Sequence, residues 1–168
     1  MILELVDCND PLLKQELETF DFSNPPVDPL DLVTDLAETM LAHNGIGLSA
    51  NQCGLPYRVF VVHGKELIPC FNPRIVEASQ ETIVLEEGCL SYPDFFVKIK
   101  RPRRIKVRFA DPNGNYVTHT FDGITSRIFQ HELDHLNGIV YTQRANKVHL
   151  EQARSRAKKA KRANKDKK

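Results

Sequence analysis

The stretch "IFQHELDHLNG", residues 128–138, places His131 and His135 four residues apart, with Glu132 directly after the first histidine. Its apolar residues recur at helical spacing: Ile128, Phe129, Leu133 and Leu136. On a helix the two histidines lie one turn apart on one face, which suits two ligands of one metal ion. Glu132 would then flank the metal as a general base. The alternative is an ordinary helix whose polar face contacts solvent.

A catalytic metal site of this kind needs a third protein ligand and one open position. His149 and Glu151 are available downstream, in a basic segment. Upstream, in "LEEGCLSYP", Cys89 follows Gly88 at the end of an apolar run, where a strand could present its thiol to a neighbouring helix. The residues alone leave these alternatives open. A structural zinc site is less favoured, because it would be closed by four protein ligands and only three candidates cohere.

The segment "GIGLSANQ", residues 45–52, has two glycines that allow a tight bend and a close approach of the backbone to another group. It is not a dinucleotide-binding fingerprint, since no predicted strand precedes it and no third glycine closes it. Gln52 offers an amide donor that could stabilise a developing oxyanion. The simpler interpretation is a helix end followed by a loop.

The hydrophobic pattern predicts an α+β fold with mainly antiparallel sheets packed around a central metal-binding helix. Helices are expected from Pro29 to the Asn44-Gly45 stop, from Asp122 or Thr125 to about Asn137, and from about Asn146 onward. The predicted strands are 58–62, 69–79, 81–87, 103–110 and 116–121, the last two joined by a turn at "DPNGN".

No feature of the sequence indicates export or a membrane. The opening "MILELVDCND" lacks the basic region and the long apolar run of a signal peptide, and no apolar run approaches membrane-spanning length. The four cysteines have no secretory context, so reduced thiols are expected at Cys8, Cys53, Cys70 and Cys89. We therefore expect a cytoplasmic protein.

Three stretches, "GIGLSANQ", "EEGCLS" and "QHELDHL", resemble in order and spacing the three signature motifs of peptide deformylases. The resemblance extends from Asp10 to about Gln143, and Ser49 departs from it because the family usually has alanine there. It implies that Cys89, His131 and His135 bind one divalent metal ion. Fe²⁺ is the expected ion, although Zn²⁺, Ni²⁺ and Co²⁺ also suit such ligands.

The resemblance also implies a reaction and its catalytic residues. Water attacks the formyl carbon of an N-formyl-methionyl nascent peptide and formate is released, with Glu132 transferring the proton. The metal, the Gln52 side-chain amide and the backbone N–H of Leu90 stabilise the oxyanion. The alternative function is a metallopeptidase of the His-Glu-x-x-His type, which would need a longer cleft than this chain offers.

The substrate-binding residues are expected beside these motifs: Gly45, Ile46, Gly47, Tyr92, Ile124 and Ile128. The peptide is expected to lie extended along the chain near Ile46 and residues 90–92. Arg101 could orient the loop that carries Cys89, or it could be exposed on the surface. Asp134 could orient a metal ligand, or it could be an exposed acid.

Charge divides the chain into an expected catalytic domain, residues 1–153, and a basic tail, residues 154–168. The tail has nine basic residues and one acidic residue, so the total charge of +1 leaves −7 for the domain. A phosphate-rich partner such as ribosomal RNA would explain this asymmetry. The alternative is a solvated, partly disordered terminus.

Overall fold

The computed structural model describes residues 1–167, and Lys168 lies outside the described residues. Three α-helices are formed: α1 (Pro29–Ala42), α2 (Gly123–Leu136) and α3 (Lys147–Lys165). The seven strands are β1 (Gly47–Ser49), β2 (Val59–His63), β3 (Leu67–Ala78), β4 (Thr82–Cys89), β5 (Tyr92–Pro102), β6 (Arg104–Ala110) and β7 (Tyr116–Asp122). Short 3₁₀ helices cover Pro11–Lys14, Ala50–Cys53 and Tyr141–Arg144.

The strands form two antiparallel sheets. The larger has five strands in the order β1-β2-β3-β6-β7, and the smaller is the β4-β5 pair. The β6-β7 hairpin turns as the sequence predicts, since the Asp111 carboxylate accepts from the backbone N–H groups of Asn113 and Asn115, each at 2.9 Å. The predicted α+β architecture with antiparallel sheets is confirmed.

Local sequence explains the helix and strand positions. Asp28 caps α1 by accepting from the N–H groups of Leu30 and Asp31, and Pro29 suits the first helical position. In β6 the alternating residues are buried, as predicted: Ile105, Val107 and Phe109. The hydrophobic pattern does not predict β1, which is only three residues long, or the bounds of β5.

Helix α2 lies at the centre of the fold and is buried on all sides. Residues 126–136 are buried without interruption, polar side chains included. Its apolar side chains pack against the five-stranded sheet, where they contact a core that includes Phe60, Val62 and Val107. His131 is 8% exposed and Glu132 only 4% exposed, so the alternative of a solvent-facing polar helix is wrong.

Helix α3 packs against β5 at its beginning and is exposed afterwards. Ala153 is buried in a small cluster with Val97, Ile99 and Tyr141. The helix continues without a break across the expected boundary after residue 153. Among residues 1–167, no helix has both the length and the apolar character needed to cross a membrane.

Candidate metal centre

Three side chains that can bind a metal converge where β4 ends beside α2. One potential ligand atom from each of Cys89, His131 and His135 lies within 4.8 Å of the others. The Cys89 thiol is 3.2 Å from Nε2 of His135. Cys89 is the last residue of β4, as expected of a thiol presented by a strand end. His149 and Glu151, the alternative third ligands, lie on α3 and do not belong to this cluster.

Contacts outside the cluster determine which ring nitrogen of His131 faces it. Nδ1 of His131 is 3.0 Å from Oε1 of Glu87. Burial alone would raise the pKa of Glu87, but hydrogen bonds from His131 and Arg101 lower it to about 2. The carboxylate is therefore ionised and accepts from Nδ1–H, which leaves Nε2 of His131 directed at the cluster.

The pKa values of the two histidines shift in opposite directions. Burial strongly lowers the pKa of His135, and the nearby His131 and Arg101 lower it further. Burial would also lower the pKa of His131, but hydrogen bonds with Cys89 and Glu87 raise it to about 10. A cation must compete with protons at these atoms, because only deprotonated ligands bind metal.

Glu87 is itself held by two buried arginines. Arg101 donates to both of its oxygens, at 2.6 and 2.9 Å, and Arg127 of α2 also donates to it. Arg101 is 4% exposed, so the expected surface position is wrong. Because Glu87 lies two residues before Cys89, the hydrogen bonds from Arg101 to Glu87 join β5 to the end of β4. Sequence analysis missed Glu87, although it is the acid nearest Cys89 in "EEGCLS".

Asp134 is buried and accepts hydrogen bonds from two arginines. Arg101 donates to Oδ2 at 2.9 Å, and Arg144 donates to Oδ1 at 2.8 Å. It is not an exposed acid. Its link to the metal cluster is indirect, through Arg101 and Glu87, and does not run directly to a histidine.

Glu132 lies beside the cluster with one oxygen free of partners. Among residues 1–167, its Oε2 is one of two buried side-chain polar atoms without a hydrogen bond, and the other is Nδ1 of His135. Burial raises the pKa of Glu132 to about 7. A Cβ at Gly47 would lie 2.6 Å from Oε1 of Glu132, so this position needs a glycine for the close approach.

Gln52 reaches the cluster from the 3₁₀ helix that follows β1. Its amide nitrogen donates to Oγ of Ser91 at 3.0 Å and lies 3.5 Å from Sγ of Cys89. Its carbonyl oxygen accepts from the backbone N–H and from the hydroxyl of Ser49, both at 3.0 Å. The backbone N–H, which alanine would also supply, orients the Gln52 amide, and the hydroxyl added by Ser49 lies closer to Oδ1 of Asn51, at 2.8 Å.

The expected substrate residues flank the cluster in different environments. Gly45, Ile46 and Gly47 lead into β1, which is an edge strand. Ile46 and Ile124 are 56% and 59% exposed. Ile128 is buried beside Gly47, since a Cβ there would lie 2.8 Å from its Cγ2.

The remaining expected residues lie at the β4–β5 turn. Leu90 follows Cys89 in this turn. Tyr92 opens β5, packs with Cys89, and donates from its hydroxyl to the carbonyl oxygen of Cys8 at 3.1 Å.

The other thiols are not ligands of this cluster. All four cysteines are free of disulfides, as expected of reduced thiols. Burial raises the pKa of Cys53 to about 12 and also raises that of Cys70.

The chemistry of the donor set fits a divalent transition-metal ion. One thiolate and two imidazole nitrogens are ligands for Zn²⁺, Fe²⁺, Co²⁺ or Ni²⁺, and three protein ligands leave a coordination position open. Glu132, whose Oε2 has no hydrogen-bond partner among residues 1–167, directly follows His131 and interacts with it electrostatically. The arrangement can therefore support metal-assisted hydrolysis.

Comparison with known proteins identifies close similarity to one family. Residues 2–151 match the model of the polypeptide deformylase family. A peptide deformylase of Phenylobacterium zucineum is 37% identical over 169 residues, covering 94% of this chain and 96% of the relative.

Solved structures give the same result. The crystal structure of peptide deformylase from Thermotoga maritima matches with a TM-score of 0.80 and 37% identity, covering 87% of this chain and 99% of that one. A Met-Ala-Ser-bound class I type b peptide deformylase from Acinetobacter baumannii matches with a TM-score of 0.79 and 31% identity, over 86% and 98% of the two chains.

Proposed function

Because this chain belongs to the polypeptide deformylase family, it removes the N-formyl group from nascent peptides, and we propose that Cys89, His131 and His135 hold the metal ion for this hydrolysis. The observation that carries the assignment is the convergence of the three ligand atoms within 4.8 Å of one another, with the buried Glu132 directly after His131. A divalent ion bound there acts as a Lewis acid that polarises the formyl carbonyl and lowers the pKa of water.

Glu132 is the residue positioned to move the proton. Its raised pKa, about 7, suits a group that accepts a proton from the attacking water and returns it to the leaving amine near neutral pH. Gly47 lets the backbone of β1 lie directly against this carboxylate. The same contact excludes water from one side of Glu132.

Two donors are positioned to stabilise the developing oxyanion. The amide nitrogen of Gln52, held in orientation by Ser49, lies close to the Cys89 thiol. The backbone N–H of Leu90 follows Cys89 directly in the chain. Donors fixed before the reaction lower the barrier because they need no reorganisation as charge develops.

The peptide substrate is proposed to bind along β1 with an N-terminal methionine. The free side of an edge strand can pair with an extended peptide, and Leu90 lies against Gly45, just before β1, since a Cβ on Gly45 would lie 2.7 Å from Cδ1 of Leu90. Ile46, Ile124 and Ile128 supply apolar surface for an unbranched side chain. The Acinetobacter enzyme that binds Met-Ala-Ser supports this choice of peptide.

A paired assay tests the function against the peptidase alternative, which the family comparison does not favour. Metal-loaded protein should release formate from formyl-Met-Ala-Ser and leave casein intact. Casein cleavage without formate release would contradict the proposal.

The metal is proposed to be Fe²⁺, on the strength of the family resemblance. Cys89, His131 and His135 would hold the ion, which would supply Lewis-acid chemistry to the formyl group, whereas affinity alone favours Zn²⁺. Metal-free protein reloaded anaerobically should be far more active with Fe²⁺ or Ni²⁺ than with Zn²⁺, and only the Fe²⁺ form should decay quickly in air. Equal activities would contradict the choice of iron and leave the ligand assignment standing.

The proposed location is a bacterial cytoplasm, where formylated chains are made, including the case of a virus-encoded copy acting there. The basic tail is proposed to contact ribosomal RNA. Its support is the run of lysine and arginine residues on the exposed part of α3.

A further inference from the structure

A cavity of about 420 Å³ lies on the five-stranded sheet, and three arginines line it: Arg58, Arg74 and Arg108. Asn72 and Tyr116 also line it. None of its lining residues belongs to the metal cluster. The volume lies within the range of small-molecule sites.

Two of these arginines face each other in the sheet. Arg74 of β3 and Arg108 of β6 are direct Cα partners, and like charges opposed in this way destabilise a strand pair. Farther along the same two strands, Glu77 is the Cα partner of Lys106 and forms an ion pair with it at 3.5 Å. The strand pair therefore has opposite charges at one position and like charges at the cavity.

Among residues 1–167, these three arginines have no carboxylate partner within 4.0 Å. Ion pairs within 4.0 Å involve other arginines of the described chain, namely Arg101, Arg103, Arg104, Arg127, Arg144 and Arg156. Arg108 instead donates to Oγ1 of Thr118 at 3.3 Å, and its guanidinium carbon lies 5.3 Å from the centre of the Tyr116 ring. Glu16 and Glu18 line the adjoining cavity, which Arg58 also lines.

Arg58 is held in place by uncharged acceptors, while the nearby Glu16 carboxylate attracts its charge without forming an ion pair within 4.0 Å. Its guanidinium donates to the carbonyl oxygen of Leu136 at 3.3 Å and to Oδ1 of Asn137 at 2.9 Å, at the C-terminal end of α2. Both acceptors are uncharged. Its positive charge is thus pre-positioned at the cavity.

We propose that this cavity binds the phosphate group of a phosphorylated ligand, with Arg74 and Arg108 as its main contacts and Arg58 as a third cation. Guanidinium groups match the geometry of phosphate oxygens. A doubly charged phosphate offsets the repulsion between the two opposed arginines better than a single carboxylate does. Tyr116, 47% exposed, offers aromatic surface beside the phosphate for a sugar or base. A free nucleotide and an RNA chain both carry this group.

The decisive variant is Arg74→Glu. It replaces the like-charge pair with an opposite-charge pair, so we expect phosphate affinity to fall by about tenfold or more. The same change should raise the melting temperature by about 1 to 3 °C, which separates lost binding from lost folding. Lys100→Glu is the matched control, since Lys100 is exposed on β5, faces Val84 and does not line the cavity.

Isothermal titration calorimetry on the metal-loaded full chain at low salt provides the measurement. The probes are inorganic phosphate, AMP and a short single-stranded RNA without terminal phosphates. We expect saturable binding that Arg74→Glu weakens and Lys100→Glu does not. Binding of phosphate and AMP without RNA identifies a small ligand, whereas tighter RNA binding with steep salt dependence identifies an RNA chain. No saturable binding of any probe, or equal effects of the two variants, would overturn the proposal.

Discussion

Helices α2 and α3 are both rich in polar residues, yet α2 is buried along most of its length and α3 is mostly exposed. Every residue of α2 from 126 to 136 is buried, whereas Ala153 is the buried residue of α3. Arg127 and His131 of α2 pair with Glu87 of β4, and Asp134 of α2 pairs with Arg101 of β5. The basic tail, residues 154–168, has nine basic residues and one acidic residue. Burial of a polar helix thus depends on matching charges from other elements, which helical periodicity does not reveal.

The largest expected effect comes from neutralising the buried glutamate of α2. Glu132→Gln leaves the three proposed ligands untouched and should retain the metal while lowering turnover by about 10²-fold or more, because positioned acid–base catalysis is lost. Formate release and metal content of the same sample measure both quantities.

The matched control for Glu132→Gln is Glu151→Gln, the same substitution at an exposed position of α3. It should change neither metal content nor turnover. Near wild-type turnover in Glu132→Gln would remove this residue from the proposed mechanism.

The sequence predicted the parts of the site that lie within short motifs. The spacing of His131 and His135 predicts that both lie on one helix face, and the structure places both beside Cys89. The antiparallel hairpin at residues 111–115 was predictable for the same reason, since its turn chemistry is local. These features depend on residues only a few positions apart.

The contacts missed by the sequence analysis join residues far apart in the chain. Arg101 and Glu87 are 14 residues apart, and Glu87 and His131 are 44 apart. Periodicity identifies an apolar core face, but it does not indicate which buried acid pairs with which arginine. The basic run "KIKRPRR" therefore predicts a surface position for Arg101, which is buried in the structure.

An intermediate effect is expected from Glu87 of β4, with its neighbour Glu86 as the control. Glu87→Gln removes the ionised acceptor that orients His131, and should weaken metal affinity by about 10- to 100-fold. Competition with a chelator measures this affinity directly.

Glu86→Gln is the control, since the Glu86–Arg156 ion pair is largely exposed and contributes about 1 kcal/mol or less to stability. Its metal affinity should match that of the unaltered protein. Equal affinities in the two variants would show that Glu87 does not position His131.

The smallest expected effect on catalysis comes from the basic tail. Deleting residues 154–168 removes no residue that contacts the metal cluster, so hydrolysis of short formyl peptides should be unchanged. Co-sedimentation with ribosomes should decrease, because a phosphate-rich partner loses its cationic contacts.

Exposed lysines of α3 allow a finer test than deletion. Replacing Lys158, Lys159 and Lys161 with glutamine keeps the helix and its contact at Arg156, but removes three positive charges. If each lysine contacts a phosphate, the slope of log affinity against log salt concentration should decrease by about 0.7 to 0.9 per lysine. Unchanged co-sedimentation and salt dependence would leave the tail as a solvated helix without an RNA contact. Helices α2 and α3 would then differ in how deeply they are buried, and α3 would have no RNA-binding role.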